Sequence, residues 1–295
     1  MRRVERSDRE YPALLREIAD APDALYVRGA LLERDALAIA VVGSRQATSY
    51  GTGVAEELGR ELAARGVTIV SGLARGIDSA AHRGALRAGG RTIAVLGSGA
   101  DVIYPSEHRP LAAEIEASGA LVSQFAPGTR PLAYRFPVRN RVIAGLALGV
   151  VVVEAAEKSG ALITARLAGE LGREVMAVPG RVTSAASRGA HALIRDGAAL
   201  VESWTDVVAQ LPARWRACVS AEGPDADGGA ASCGDAEADA ALVLAAVGDE
   251  ERTLDAVVER SGLASGRAAA VLLELELAGR IRQLAGSRFV TAGRG

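Results

Sequence analysis

Phe136-Pro137-Val138-Arg139-Asn140-Arg141-Val142-Ile143-Ala144-Gly145 is followed, three residues later, by Gly149-Val150-Val151-Val152-Val153 and then Glu154. The first stretch opens a helix with two arginines and an asparagine. The second has no polar face and reads as a strand buried on both sides. The same layout recurs where Ala36 to Val42 ends in Gly43-Ser44-Arg45, and where Val67 to Val70 ends in Ser71-Gly72-Leu73-Ala74-Arg75-Gly76. Loops that follow parallel strands gather along one edge of an open sheet, so these donor-rich segments are expected to meet there and hold an anion.

Working outward, Ala36 to Leu211 alternates strand and helix, which predicts an α/β doubly wound, mostly parallel sheet over residues 36–212. Strands are expected at Ala36 to Gly43, Val67 to Ser71, Thr92 to Leu96, Ala120 to Ser123, Val150 to Glu154, Glu174 to Val178 and Ala198 to Val201. Helices are expected to start near Tyr50, Ser79, Glu107, Pro137, Ala161 and Arg188. Residues 1–35 read as a packing segment at the side of this domain, with Leu25 to Val27 as a short edge strand. Residues 213–238 turn abruptly to Ala, Gly, Asp and Glu and predict an acidic, mobile linker. Residues 239–295 predict three short helices at Ala240 to Val247, Thr253 to Ser261 and Ser265 to Gly279. A hairpin follows, and the order is that of a winged helix.

The 295 residues are 49% hydrophobic and 3% aromatic, with a formal charge of -2. That balance excludes a uniformly basic nucleic-acid binder and leaves room for a local basic edge. Lys158 is the only lysine. Cys218 and Cys233 have neither metal-ligand nor redox spacing, and no His, Cys and carboxylate set has metal spacing, so no metal is expected. The start of the chain lacks the apolar stretch of a secretory signal, and no run is long enough to cross a bilayer; a cytoplasmic protein with no membrane partner is expected.

Glycines at Gly43, Gly72 and Gly160 let a backbone approach phosphate, Ser44, Ser159 and Thr164 add hydroxyls, and helix starts donate amides. Arg45, Arg75, Arg139, Arg141, Asn140 and Lys158 supply the remaining donors. Asp78 is expected to cap the helix starting at Ser79, with His82 in reach one turn on. An acid/base role for that pair ranks below a structural one, because no nucleophile stands nearby. Phe136 and Tyr134 are the stacking candidates, Phe136 being equally suited to a core.

Taken in order, Tyr11-Pro12, Asp20-Ala21-Pro22, Val42-Gly43-Ser44-Arg45, Ser71 to Asp78 with His82, Tyr104-Pro105, Phe136 to Arg141, Ser159-Gly160 with Thr164-Ala165, and Val178-Pro179-Gly180 resemble the DNA-processing protein A (DprA/Smf) family. The resemblance implies an extended Rossmann-like domain that binds single-stranded DNA, dimerises, and helps load the RecA recombinase onto incoming DNA in natural transformation. It implies a basic pocket formed by the glycine-arginine loops, no dinucleotide cofactor and no catalytic residue. Gln124, His108 and His191 stand where that family commonly has glutamate, asparagine and asparagine. The sequence-tolerant grip expected of such a pocket implies steep salt dependence, with Arg45→Ala or Arg139→Ala weakening binding.

Two competing readings use the same residues. A nucleotide-hydrolysing enzyme of the lysine-decarboxylase-like group would cast Glu154 as its functional carboxylate, though the paired-glycine phosphate motif of that group is missing. A transcription factor would rest on the winged helix alone. Its third helix carries Arg267 but also Glu274 and Glu276, which oppose phosphate, so protein contacts or modulation of the main domain are the expected role there.

Overall fold

The structure, a computed structural model, describes residues 1–219, 235–248, 252–263, 265–277, 280–284 and 288–291. Two compact units divide the chain, Met1–Ala230 and Ala231–Gly295. The first is built on nine strands: β1 (Arg2–Glu5), β2 (Ala24–Gly29), β3 (Ala38–Val42), β4 (Thr68–Ser71), β5 (Thr92–Val95), β6 (Ala120–Ser123), β7 (Gly149–Val152), β8 (Glu174–Ala177) and β9 (Ala199–Leu200). Their order across the sheet is β1-β2-β6-β5-β4-β3-β7-β8-β9. All neighbours from β6 to β9 run parallel, and the two pairs made by β2 are antiparallel.

Nine helices of this unit are α1 (Ala13–Arg16), α2 (Ser49–Ala64), α3 (Ile77–Arg87), α4 (Arg109–Ser118), α5 (Arg135–Leu146), α6 (Gly160–Glu170), α7 (Arg188–Arg195), α8 (Trp204–Gln210) and α9 (Ala213–Arg216). Every residue of β3, β4, β5, β6 and β7 is buried, which is why these strands appear in the sequence as unbroken apolar runs. On one face, Ala38, Ala40 and Val42 of β3 and Val150 and Val152 of β7 pack against Val142, Ile143 and Leu146 of α5 and Ala161, Ala165 and Ala168 of α6. The small alanines of β3 let α5 lie close to the sheet. Helices α2, α3 and α4 pack in series, and α3 and α5 both lie against β3, β4 and β5.

The doubly wound reading holds, and three local expectations are corrected. The N-terminal residues do not simply pack at the side: β2 lies inside the sheet between β1 and β6, and β1 is the edge. Only Val4 of β1 is buried, so Arg2-Arg3-Val4-Glu5 carries no apolar alternation to read. Helix α8 follows β9 where no element was expected. Asp206 holds its start by accepting from the Ser203 amide at 2.9 Å, and Arg65, just after α2, stacks over the Trp204 ring at 3.8 Å. Helix α9 forms at the start of the expected linker, whose remainder lies mostly outside the described residues, as does Cys233.

The second unit contains α10 (Asp235–Val247), β10 (Arg252–Thr253), α11 (Leu254–Ser261), α12 (Ser265–Leu277), β11 (Ile281–Leu284) and β12 (Arg288–Thr291). It is a winged helix with its own core of Val243, Val247, Val257, Leu272, Leu275 and Phe289. Strand β10, two residues long, pairs with β12 and completes a three-stranded sheet that the expected hairpin lacked. Arg267 of α12 is ion-paired with Asp239, so its charge is already met within the unit.

Candidate nucleic-acid interface

Chain direction across the sheet reverses at β3. Strands β4, β5 and β6 follow it on one side, while β7, β8 and β9 follow on the other. A crevice is forced at such a point, because the loops leaving β3 and β7 diverge to opposite faces. Here it is a cleft of about 760 Å³. Gly43, Ser44 and Arg45 enter it from β3, Lys158, Ser159 and Gly160 from the loop after β7, and Arg139 and Asn140 from the start of α5. Thr164, one turn into α6, completes that wall. Gly43 to Arg45, about ninety residues before Arg139 in sequence, thus meets the two later segments as the strand pattern requires.

The cations in this cleft differ in kind. Arg45 and Lys158 are exposed, and neither makes an ion pair among the described residues. Arg139 is 4% exposed. Its Nη1 donates to the Gly72 carbonyl at 2.7 Å and to the Val95 carbonyl, and its Nε to Asn140 Oδ1 at 3.2 Å. A side chain on Gly72 would collide with this guanidinium, so glycine there admits the arginine rather than a ligand. Burial lowers the Arg139 pKa to about 10, which leaves it charged at neutral pH.

Asp78 faces the same bracket. It does not cap α3, which starts two residues earlier behind Gly76. Its carboxylate accepts from the Gly72 amide at 3.1 Å and the Ala74 amide at 3.3 Å, and burial raises its pKa above the usual carboxylate value. Nor does it pair with His82, whose Nδ1 lies 2.6 Å from Thr92 Oγ1. Asp78, Arg139 and the loop after β4 form one internal strut under the cleft.

Three residues expected in the pocket lie outside its lining. Gly72 sits behind Arg139. Arg75 points outward and is bound by Glu107, with Nε 2.5 Å from Oε1 and Nη2 3.0 Å from Oε2. Arg141 pairs with Asp20 at 3.0 Å and faces a neighbouring groove. Two residues apart on a helix point to different sides, so Arg139 and Arg141 cannot serve one pocket.

Aromatic rings lie beside the cations. Phe136 is half-buried at the cleft wall, with the Arg45 guanidinium 5.1 Å from its ring centre and the Tyr104 ring 5.9 Å away. Tyr104, 47% exposed, is a lining residue that sequence reasoning missed; its only signal was the Tyr104-Pro105 pair. Tyr134, by contrast, is exposed and outside the lining. Of the three departures from the family pattern, His108 Nδ1 donates to the Leu73 carbonyl at 2.9 Å, and His191 Nε2 lies 3.2 Å from the Gly180 amide nitrogen. Gln124 faces the neighbouring groove.

Glu154 decides between the two helix starts at this edge. Its carboxylate accepts from the Thr48 amide at 2.9 Å and from Thr48 Oγ1 at 2.6 Å, at the N-terminus of α2. Gly51 is needed there, because any Cβ would strike that carboxylate. The anion seat of the β3 to α2 connection is therefore filled by the protein itself. At 3% exposure, with each carboxylate oxygen accepting a hydrogen bond from Thr48, Glu154 is engaged in holding the start of α2. Glu154→Gln presents an amide to two donors and is expected to lower stability by about 1–3 kcal/mol, read as a reduced urea midpoint at unchanged slope. The start of α6 is the open one. Ser159 caps it by accepting from the Ala161 amide at 3.3 Å, and the space beside Gly160 is empty within 4 Å. Among the described residues, no group of three or more His, Cys, Asp or Glu is placed to hold a metal ion.

A doubly wound sheet with a cleft bearing Arg45 and Lys158 at its switch point, followed by a winged helix, defines a Rossmann-like protein of two modules. The chain belongs to the DNA recombination-mediator protein A family, whose model matches residues 2–212, and the DprA winged helix domain matches residues 229–287. Protein Smf of Escherichia coli is 46% identical over 94% of this chain and 74% of its own length. The DNA processing protein DprA of Streptococcus pneumoniae is 46% identical over 68% of this chain and 71% of its own. The crystal structure of that pneumococcal protein superimposes with a TM-score of 0.69, at 44% identity, over 72% of this chain and 74% of that one. DNA processing protein A from Helicobacter pylori, whose structure addresses its single-stranded DNA binding mode, gives a TM-score of 0.62 at 31% identity over 66% and 90% of the two chains.

Proposed function

We propose that this protein binds single-stranded DNA by its backbone in the switch-point cleft, leaves it chemically unaltered, and presents it to the recombinase RecA during uptake of DNA in transformation. The observation that carries the reading is the convergence of Arg45, Lys158 and the open start of α6 around one cleft, with Phe136 and Tyr104 on its wall. Two unpaired cations and a helix start suit a run of phosphates, and the rings offer a face to any base. The H. pylori relative, described for its single-stranded DNA binding mode, supports the same ligand. Family membership supports action as a homodimer in the cytoplasm. No helix among the described residues is long and apolar enough to cross a membrane. The winged helix, with Arg267 held by Asp239, is assigned to protein contacts.

Fluorescence anisotropy with an oligothymidylate and its duplex, at two salt concentrations, tests the reading. The single strand is expected to bind tighter at both. Arg45→Ala is expected to weaken it about 10-fold or more, the worth of a charge-assisted hydrogen bond. The same change is expected to flatten the log-log salt slope by about 0.7. Unchanged affinity and slope would overturn the assignment.

A further inference from the structure

The cleft is not closed at its α5 side. A second groove of about 640 Å³ lies against it, and Pro137 and Ile163 line both, forming the saddle between them. Arg3, Arg141 and Arg166 border this groove on three different elements, β1, α5 and α6. Tyr26 and Val138 give it an apolar floor, Val138 being 46% exposed, and Gln124 adds an amide. Asp20 and Asp23 are its acidic lip.

We propose that this groove is a second subsite for the same single strand, which crosses the saddle and lays further phosphates between Arg3, Arg141 and Arg166. The inference rests on the ligand proposed above and extends it. Its occupant follows from continuity, because a flexible polyanion held at Arg45 and Lys158 meets the saddle as the adjoining exit. The three arginines are available to it. Arg141 meets Asp20 at 3.0 Å, Arg3 meets Glu5 at 2.7 Å and Arg166 meets Glu170 at 3.5 Å. Each of these pairs has at least one strongly exposed partner, and such pairs contribute little to stability, so phosphate can exchange for carboxylate. The groove also gives Arg141 a task that its position on α5 denies it in the main cleft. Asp20, 70% exposed, is the competing anion that a strand must displace.

The experiment compares oligothymidylates of about 5 and about 16 nucleotides, the range over which single-strand sites extend. The unaltered 295-residue chain, its Arg3→Ala/Arg166→Ala double variant and Asp20→Asn are titrated by anisotropy at several salt concentrations. The double variant is expected to bind the longer strand about 5-fold more weakly. Its salt slope for that strand falls by about 1.4, from two lost phosphate contacts. Binding of the short strand stays unchanged. Asp20→Asn is expected to tighten the longer strand alone, about 3-fold. Equal losses on both lengths, or no loss on either, would overturn the second subsite while leaving the main cleft intact. Failure of the unaltered protein to bind either length would instead overturn the reading of the cleft itself.

Discussion

Replacing Arg139 with methionine is expected to lower the stability of the protein by about 3–5 kcal/mol, because two buried carbonyls lose their charged donor and a buried carboxylate loses the nearby cation. Methionine fills much of the volume, so packing accounts for little of the effect. What disappears is the donor to the Gly72 and Val95 carbonyls and the positive charge facing Asp78. Asp78 is then left fully buried with only two backbone amides. A double-mutant cycle with Asp78→Asn isolates this coupling: the second change is expected to cost less in the Arg139→Met background than alone. Urea denaturation of the four proteins reads it directly. A loss below about 1 kcal/mol would mean that the guanidinium is hydrated and free to leave its carbonyls. Binding loss in Arg139→Ala therefore has to be measured on protein shown to be folded, whereas Arg45→Ala needs no such control.

Acid is expected to weaken the fold through His82. Thr92 Oγ1 donates its proton to the Ile69 carbonyl at 2.8 Å, so the 2.6 Å contact with His82 Nδ1 requires the histidine to donate. The proton is thereby fixed on Nδ1. Nε2 is left buried with no hydrogen-bond partner among the described residues. Burial lowers the His82 pKa from 6.5 to about 3, helped by the charges of His108, Arg139 and Arg83. The folded state thus binds fewer protons than the unfolded chain between these values. Stability from this group is full above pH 6.5 and is lost as pH falls toward 3. The loss is about 1.4 kcal/mol per pH unit, roughly 5 kcal/mol in all. Asp78 acts in the opposite sense, since its raised pKa lets the folded state take up a proton first. Comparison with His82→Asn, whose amide can still donate to Thr92, separates the two. The variant is expected to be less stable at neutral pH but to show a flatter decline below pH 6.5. Parallel profiles would refute the role of His82.

Much of the fold can be read from the chain because β3 to β7 are buried on both faces, which leaves no polar interruption in their sequence. Strands β1 and β10 could not be read that way: one has a single buried residue and the other is two residues long. Helix α8 buries only Val207 and is held by Asp206 and by the stack of Arg65 on Trp204, contacts that have no periodic signature. The location of the cleft was equally legible, since donor-rich loops after β3 and β7 must meet at the switch point. The division of labour among its arginines was not. Arg75, Arg139 and Arg141 are the same residue type in similar glycine- or asparagine-containing contexts, yet one faces Glu107, one is buried against carbonyls and one faces Asp20. Only the path of the backbone distinguishes them. Tyr104 was missed for a related reason, because its contact with Phe136 joins positions far apart in the chain.

The carboxylate of Glu154 behaves like an inhibitor that never dissociates. Tethered to the sheet beside Thr48, it holds the helix start at an effective concentration no diffusing metabolite can match. Of the two helix starts at this edge, the one at α2 is thus closed from within, and an incoming anion meets only the start of α6.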